Sequence, residues 1–305
     1  MVNPKSLCFR ANQGRFALRA PVLLLVTLAV FFGFSRVAAA QVRIVQLSDT
    51  HIGEQHSPHA ADNLRRAVDM INRIHPDAVV LSGDIGEGPD NWQIARKMLK
   101  GLRSPLFYVP GNHDVHSRDV SRYRSVFGQD YYSFRVKYVN FLVIDSQLLG
   151  NFDNFEAHTP PPMPPETEDE SRKMMNWLKG QSSSRDQDSD HDRDDGDRSR
   201  GGVTIAIQHI PAFHDGNFPP DNKPYWVVSE PYRSREVDVL HRLGVRHVLV
   251  GHWHNERVFE REGIVWHVAP ATSWLPWGGE LGFSVHTITP DGDVRTEFVS
   301  LHAQP

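Results

Sequence analysis

Residues 111–114 read Gly-Asn-His-Asp and bring together three side chains that can do chemistry. The amide oxygen of Asn112 can bind a metal ion, and His113 can transfer a proton near neutral pH. The segment follows the run 106–109 (Leu-Phe-Tyr-Val), whose composition is typical of a β-strand. Because open α/β sheets bind ligands in the loops at the carboxyl ends of their strands, these residues are candidates for a binding site.

Residue types that bind metal ions also follow four other apolar runs. They are Asp49 and His51, Asp84, His209, and His252 and His254. In Asp-x-His and His-x-His, alternate residues lie on the same side of an extended chain, so each pair can reach one ion. With Asn112 the set offers seven nitrogen and oxygen ligands. Seven are too many for one tetrahedral ion and suit two ions that share a carboxylate.

The apolar runs also predict the elements that must position these side chains. Strand and helix alternate in the region that follows residue 41, which predicts βαβ units and adjacent parallel strands whose ends share one edge. Predicted strands are 42–47, 77–82, 106–109, 203–207 and 245–250. Predicted helices are 58–74, 91–102, 170–178 and 231–243. Antiparallel strands are expected within 131–145 and across 257–301.

Residues 1–40 have the features of a secretory signal peptide. Basic residues precede the apolar stretch 20–34, and Ala38 and Ala40 are the small residues that a signal peptidase reads. The stretch is about fifteen residues long, which is short for a membrane span. We expect cleavage after Ala40, export to the periplasm or out of the cell, and no membrane span afterwards. The alternative is an uncleaved segment that serves as an N-terminal membrane anchor.

Charge and cysteine content exclude several functions. The full chain has a formal charge of −4, and removal of residues 1–40, with five basic and no acidic residues, makes it −9. This charge argues against a surface that coats nucleic acid. The one cysteine, Cys8, lies in the predicted signal peptide, so the mature chain would have no thiolate for catalysis or metal binding. Any metal must be bound by nitrogen and oxygen.

Residues 181–202 form a low-complexity segment with seven Asp, four Arg and five Ser. Such a composition cannot bury a core, so we predict a disordered insertion within a single domain that spans 41–305. An Asp-rich segment could also bind calcium. However, Arg residues interrupt it and the spacing of an EF-hand loop is absent.

In chain order, the five blocks resemble the motif pattern of the calcineurin-like metallophosphoesterases. The family pattern is Asp-x-His, Gly-Asp, Gly-Asn-His-Asp or -Glu, a lone His, and Gly-His-x-His. This chain has these blocks at 49–51, 83–84, 111–114, 209 and 251–254. The resemblance implies an α/β (α+β) fold, a four-layer sandwich of two mixed β-sheets flanked by helices. It also implies hydrolysis of phosphate mono- or diesters by a water that metal ions activate.

The resemblance further implies ligands for two divalent or trivalent transition-metal ions. The first ion would be bound by Asp49, His51 and His254, and the second by Asn112, His209 and His252, with Asp84 bridging both. Nitrogen and oxygen ligands suit Mn, Fe, Zn or Co, so the identity of the metal is left open.

The resemblance makes His113 the residue that protonates the leaving oxygen. An imidazolium needs an anionic partner to hold its orientation and raise its pKa, and Asp114 and Glu87 are both candidates. His113 and Asp114 are thus the predicted catalytic residues. The expected substrate is a phosphorylated small molecule or, as the alternative, a phosphoprotein.

Two branches of the family match in part. Glu87 stands three residues after Asp84, where purple acid phosphatases have a tyrosine ligand, which argues against an iron–tyrosinate centre. The motifs resemble a bacterial phosphodiesterase branch, and 209–211 with 230–233 also resemble a protein-phosphatase-like branch. In a different class, an inactive binding or surface protein would keep the fold, although every ligand position matches here. A β-lactamase-like hydrolase would need a His-x-His-x-Asp-His cluster, and the sequence has none.

Five further residues have two interpretations each. Arg118 could bind a phosphate through its planar guanidinium or form a surface salt bridge. The aromatic residues Tyr225, Trp226, Trp274 and Trp277 could stack on a substrate or fill the rim of the site.

Overall fold

The computed structural model describes residues 41–115, 120–187 and 202–302. The strands are β1 (Val42–Leu47), β2 (Ala78–Ser82), β3 (Leu106–Val109), β4 (Tyr132–Val136), β5 (Val139–Val143), β6 (Val203–Ile207), β7 (His247–Val250), β8 (Arg257–Arg261), β9 (Ile264–Val268), β10 (Gly282–Ile288) and β11 (Val294–Ser300). The helices are α1 (Ala60–Ile74), α2 (Gly88–Leu99), α3 (Val120–Phe127), α4 (Pro165–Gln187) and α5 (Tyr232–Arg242).

Three predicted features fall wholly or partly outside the described residues. They are the signal peptide 1–40, Arg118, and residues 188–201 of the insertion. Within the described ranges, no helix combines the length and the apolar character needed to cross a membrane.

The first sheet has five strands in the order β11-β10-β1-β2-β3. Strands β1, β2 and β3 are parallel neighbours, as the βαβ pattern predicts. Strand β10 pairs antiparallel with the other side of β1, and β11 pairs antiparallel with β10. The carboxyl ends of β1, β2 and β3 therefore meet at one edge.

The second sheet has six strands in the order β4-β5-β6-β7-β9-β8. Strands β5, β6, β7 and β9 are parallel, with β4 and β8 antiparallel at the two edges. Two mixed sheets flanked by helices confirm the predicted fold class. The sequence predicted antiparallel strands across 257–301, which is right for β8–β9 and β10–β11. It did not predict that β9 lies parallel to β7, or that β10 joins the first sheet.

Alternate residues of each strand face opposite sides, and this alternation builds two cores. In β1, Val42 and Ile44 pack between the sheets with Phe141 of the second sheet. Val45 and Leu47 belong to the core that includes the buried face of α1. Because all four side chains are fully buried, each contributes about 1.5–3 kcal/mol relative to an exposed position.

Helix α4 is longer than the sequence predicted. It spans Pro165–Gln187, whereas the apolar pattern indicated 170–178. The pattern was short because its buried apolar residues, Met174, Met175 and Leu178, lie within a few residues of each other. Proline is well suited to the first helical turn, where its missing N–H costs nothing, and it marks the earlier start. The helix also continues into the first residues of the predicted insertion.

Candidate metal centre

The loops that follow β1, β2, β3, β6 and β7 meet in one place. Backbone hydrogen bonds join neighbouring loops within each sheet, from His51 N to Asp84 O (2.9 Å) and from Gly251 N to His209 O (2.9 Å). The two sheets are joined by His252, whose backbone N–H donates to Asp49 Oδ2 over 3.2 Å. Side chains that lie far apart in the sequence are thereby brought to one edge of the molecule.

Asp49, His51, Asp84 and His254 form the first cluster, in which one potential ligand atom of each lies within 4.8 Å of the others. His51 Nε2 lies 3.1 Å from His254 Nε2 and 3.4 Å from Asp84 Oδ2. His254 Nε2 lies 3.2 Å from Asp49 Oδ1. All four residues are buried. Two imidazole nitrogens directed at two carboxylate oxygens are a donor set that a transition-metal ion can use.

Asp84, His209 and His252 form the second cluster. His209 Nε2 lies 3.1 Å from Asp84 Oδ2, the same oxygen that faces His51. The other oxygen of Asp84 accepts a hydrogen bond from the backbone N–H of His113 over 2.9 Å. Asp84 is therefore common to both clusters.

Asn112 lies beside the second cluster. Its Nδ2 donates to the hydroxyl of Tyr225 over 2.8 Å, and the Tyr225 ring lies 4.9 Å from the ring of His252. Since the amide nitrogen is used in this way, Asn112 Oδ1 is the atom that can act as a ligand.

The residues present fit a metal ion by two tests. Within the described part of the chain, Asn112 Oδ1 is buried without a hydrogen-bond partner, a costly condition that a bound cation would relieve. Each candidate histidine also directs its second ring nitrogen at an oxygen, as metal ligands almost always do. The pairs are His51 Nδ1 and Glu87 Oε1 (3.4 Å), His209 Nδ1 and Ser82 O (2.6 Å), His252 Nε2 and Tyr225 O (3.0 Å), and His254 Nδ1 and Trp274 O (3.0 Å).

The electrostatics of the clusters favour positive charge. Burial alone would raise the pKa of Asp49, but the imidazoles of His254 and His209 outweigh it and lower that pKa to about 2. Burial, reinforced by His209, lowers the pKa of His252 to about 3. An ionised Asp49 and a neutral His252 are the protonation states that metal ligands need. Burial would lower the pKa of His209, but the carboxylates of Asp84 and Asp49 outweigh burial and raise it to about 9.

Five of the candidate ligands have a left-handed backbone conformation, which L-residues rarely adopt. They are Asp49, His51, Asp84, His252 and His254, with φ between 39° and 71°. Each such conformation costs about 1–2 kcal/mol and persists only where the surrounding structure enforces it. Strain of this kind concentrates at functional sites, so the backbone supports the same assignment as the side chains.

Two glycines of the motifs are required by close approach. A Cβ at Gly111 would lie 2.2 Å from Asp84 Oδ1, and a Cβ at Gly83 would lie 2.4 Å from His209 Nδ1. Gly83 also has φ +94°, a conformation that suits glycine. Glycine at these positions lets the loops come close enough for the side chains to share one site.

His113 lies against the first cluster, with its ring centroid 4.6 Å from that of His51. Its Nδ1 lies 2.8 Å from Glu87 Oε1. Burial would lower the pKa of His113, but the carboxylates of Asp84 and Glu87 outweigh burial and raise it to about 10. In the protein without metal, His113 is therefore an imidazolium whose Nδ1–H is held by Glu87.

Asp114, which the sequence predicts to be catalytic, lies beside the site. Its carboxylate is buried and accepts hydrogen bonds from the backbone N–H groups of Ile85 (2.9 Å) and Gly111 (3.0 Å). These bonds join the loop after β2 to the loop after β3. Of the two candidate partners of His113, Glu87 faces its Nδ1, and Asp114 faces backbone N–H groups of the two loops.

The rim aromatics mainly pack against each other and against the site. Trp226 is buried, with its ring 5.3 Å from His252 and 4.8 Å from Trp277. Trp274 contributes its backbone carbonyl to His254. Residue types carry no signal for this carbonyl or for that of Ser82, because every residue has a backbone carbonyl.

The comparisons with known proteins agree with the fold and identify the family. The sequence profile described as calcineurin-like phosphoesterase matches residues 42–256, so the chain belongs to this family. The glycerophosphodiester phosphodiesterase GpdQ of Enterobacter lignolyticus (strain SCF1) is 33% identical over 124 residues, which cover 35% of this chain and 45% of that protein. The serine/threonine-protein phosphatase CPPED1 of Mus musculus is 28% identical over 204 residues, which cover 62% of this chain and 57% of that protein.

A solved structure shows the same fold. A dimetal phosphatase from Danio rerio superposes with a TM-score of 0.61 at 16% identity, covering 85% of this chain and 96% of that chain. The chain spans about half the length of the two curated relatives. Both curated relatives are named as enzymes that act on phosphate esters.

Proposed function

We propose that this protein is an exported phosphoesterase that uses two metal ions to hydrolyse phosphate mono- or diesters. The observation that carries the proposal is the position of Asp84, whose Oδ2 lies 3.4 Å from His51 Nε2 and 3.1 Å from His209 Nε2. One carboxylate that faces both clusters can bridge two ions, which is the arrangement of two-metal hydrolases.

The candidate ligands would form two metal sites. Asp49, His51 and His254 would hold one ion, and Asn112, His209 and His252 the other, with Asp84 shared. When bound, the ions would supply Lewis acidity and a nucleophilic water at neutral pH. The identity of the metal, Mn, Fe or Zn, is left to experiment.

His113 would act as the general acid. Its Nδ1–H is directed at Glu87 over 2.8 Å, so Nε2 would carry the proton that goes to the leaving oxygen. A leaving alkoxide is a strong base, and its protonation lowers the barrier to departure. Glu87 would keep the ring oriented throughout the reaction.

The curated relatives suggest two substrate classes. One is named a glycerophosphodiester phosphodiesterase and the other a serine/threonine-protein phosphatase. We propose a phosphorylated small molecule as the substrate and keep a phosphoprotein as the alternative. A glycerophosphodiester has two ester bonds to its phosphorus atom, whereas a phosphorylated serine or threonine has one.

The test is to strip the purified protein of metal, reload it separately with Mn, Zn and Fe, and assay each sample. The substrates are p-nitrophenyl phosphate, its bis ester, cyclic nucleotides, lipid-derived diesters and a phosphopeptide. We expect two ions per chain and turnover of at least one ester class. A fully reloaded sample that is inactive on every ester would favour the competing function, a binding protein that keeps the fold.

Export is tested separately. The proposal is supported by the basic and apolar pattern of residues 1–40. We expect the exported protein to begin at Gln41, as read by mass spectrometry of its N-terminal peptide. A membrane fraction that retains residues 1–40 would instead indicate an anchor.

A further inference from the structure

The layer between the two sheets is apolar at one end and polar at the other. In β1, Gln46 lies on the same face as Val42 and Ile44, which belong to the apolar core between the sheets. In β10, His286 lies on the same face as Ile288 of that core. Gln46 is fully buried and His286 nearly so. Their polar atoms must therefore find partners within the protein.

The partners form one continuous chain of hydrogen bonds across both sheets. Its links are His247 Nδ1 to His267 Nε2 (3.0 Å), His267 Nδ1 to Thr296 Oγ1 (2.8 Å), Thr296 Oγ1 to His286 Nδ1 (2.9 Å), His286 Nε2 to Gln46 Oε1 (2.9 Å), and Gln46 Nε2 to Ser82 Oγ (2.8 Å). Gln46 Nε2 also donates to the backbone carbonyl of Val250 over 3.0 Å.

The carbonyl of Val250 determines which atom donates and which accepts at each of these hydrogen bonds. A carbonyl can only accept, so the amide atom that faces it must be the nitrogen of Gln46. Gln46 Oε1 then faces His286 Nε2, which must carry a hydrogen. In a neutral ring His286 Nδ1 accepts, so Thr296 donates to it and accepts in turn from His267.

The histidines of this chain are neutral, as the pattern requires. Burial lowers the pKa of His286 to about 3 and that of His267 to about 2, and both shifts are increased by the neighbouring histidines. Burial also lowers the pKa of His247. The rings of His286 and His267 each have one donor and one acceptor, and both nitrogens of each ring have a partner.

The two groups that Gln46 holds both adjoin the second cluster. Ser82 offers its backbone carbonyl to Nδ1 of His209 over 2.6 Å. Val250 is two residues before His252 and ends β7. Because β2 and β7 belong to different sheets, this amide joins the two sheets at the point where the ligand loops begin.

We propose that Gln46 is a positioning residue for the second cluster, held in one orientation by the hydrogen-bond chain that His286 delivers to it. This inference rests on the proposed binding of two metal ions. Gln46 contacts Ser82 and Val250 rather than any ligand atom, so it acts on His209 through the residue whose carbonyl faces Nδ1 and on His252 through the end of β7.

The first test compares metal binding of wild type and Gln46→Met. Methionine has a similar length and no hydrogen bonds to offer. We expect the affinity for the Mn²⁺ ion at the second cluster to fall about tenfold, as is typical when a supporting partner of a ligand is removed. The affinity at the first cluster should stay the same. The measurement is titration calorimetry on metal-free protein. The same ratio of the two affinities in wild type and in Gln46→Met would overturn the inference.

A wild-type protein that binds fewer than two ions would instead overturn the proposed function on which the inference rests. A general loss of structure in Gln46→Met would weaken both sites together and would also count against selective positioning. The ratio of the two affinities therefore separates the outcomes.

The second test uses two amides at position 286. In His286→Gln the amide nitrogen can occupy the place of Nε2 and donate to Gln46, whereas in His286→Asn it occupies the place of Nδ1. We expect His286→Gln to keep the affinity of the second site and His286→Asn to lose it, with the metal-free proteins unfolding at similar temperatures. The same loss in both variants would contradict the proposed role of the donor.

The third measurement needs no metal. In ¹⁵N-histidine NMR of the metal-free wild type, with the His286 signals identified by their absence in His286→Gln, we expect His286 to be neutral and protonated on Nε2. A neutral ring protonated on Nδ1, or an imidazolium at pH 7, would overturn the orientation deduced for Gln46.

Discussion

At the scale of single residues, the groups that face the two ring nitrogens of an imidazole decide its role. His209, His252 and His254 direct their second nitrogen at backbone carbonyls, which are neutral. His113 directs Nδ1 at the carboxylate of Glu87 over 2.8 Å. A carboxylate stabilises an imidazolium far more than a carbonyl does, which suits His113 to donate a proton. His51 also faces Glu87, over 3.4 Å, but its Nε2 is directed at Asp84 within the first cluster, so it belongs with the candidate ligands.

Removal of the general acid should stop turnover and spare the metals. We expect His113→Ala to lose about 10²–10⁴-fold in kcat on esters with a poor leaving group, because protonation contributes that much to such reactions. Metal content, measured by elemental analysis, should stay at the wild-type value. The loss should be small on p-nitrophenyl esters, whose leaving group needs no proton. Unchanged kcat on alkyl esters would exclude His113 as the acid.

Removal of a proposed ligand should instead lower the metal content. We expect Asn112→Ala and His252→Ala each to bind one ion in place of two, since both residues would serve the same site. Elemental analysis after dialysis measures the ratio of metal to protein. His59→Ala is the matched control, because His59 is exposed and lies outside both clusters. Two ions in either ligand variant would contradict the assignment.

At the scale of elements, the strands direct the ligand loops to one edge, and the loop conformations bring the side chains into contact. Five parallel strand ends converge, but the side chains meet only because the loops adopt left-handed conformations and approach within van der Waals distance. Gly111 is the clearest case, since any Cβ there would lie 2.2 Å from Asp84 Oδ1. The metal centre thus depends on backbone positions as much as on the ligands.

Two alanine substitutions should distinguish a steric need for glycine from the conformational entropy that any glycine adds to the unfolded chain. Gly111→Ala should displace Asp84, lower metal affinity and destabilise the fold, because the clash is with a buried group. Gly180→Ala, inside α4 where a Cβ meets nothing within 4 Å, should stabilise the fold by about 0.5–1 kcal/mol. Urea unfolding and metal titration measure both. A Gly111→Ala protein with normal metal affinity would show that the loop can move aside.

At the scale of the whole molecule, the polar layer between the sheets makes stability depend on pH. His286 and His267 have pKa values near 3 and 2 in the folded protein, lowered chiefly by burial, against about 6.5 when unfolded. The unfolded chain therefore binds more protons between these limits. Their contribution to the free energy of unfolding is fully present above pH 6.5 and is lost as the pH falls towards 3.

We expect wild type without metal to lose stability between pH 6 and pH 4 more steeply than His286→Gln. One histidine accounts for a difference in slope of at most about 1.4 kcal/mol per pH unit. Urea unfolding at pH 6, 5 and 4 in the presence of a chelator measures it. Parallel curves for the two proteins would show that His286 does not take up a proton on unfolding.

The sequence by itself determined the family, the βαβ half of the fold and the residue types of the site. These are local properties: Asp-x-His and His-x-His need only neighbouring residues, and the apolar runs need only strand periodicity. The early helices and strands, such as β1 and α1, were predicted nearly to their ends for the same reason. The polar helix α4 was predicted short because its apolar stripe is short.

Only the tertiary structure decided how these residues work together. It placed one oxygen of Asp84 between two clusters, chose Glu87 rather than Asp114 as the partner of His113, and directed each ring nitrogen to its oxygen. It also joined Gln46 to Val250 and His286, which lie 204 and 240 residues further along the chain. Distances across two packed sheets depend on the packing of the entire core, and no local pattern of residue types contains them.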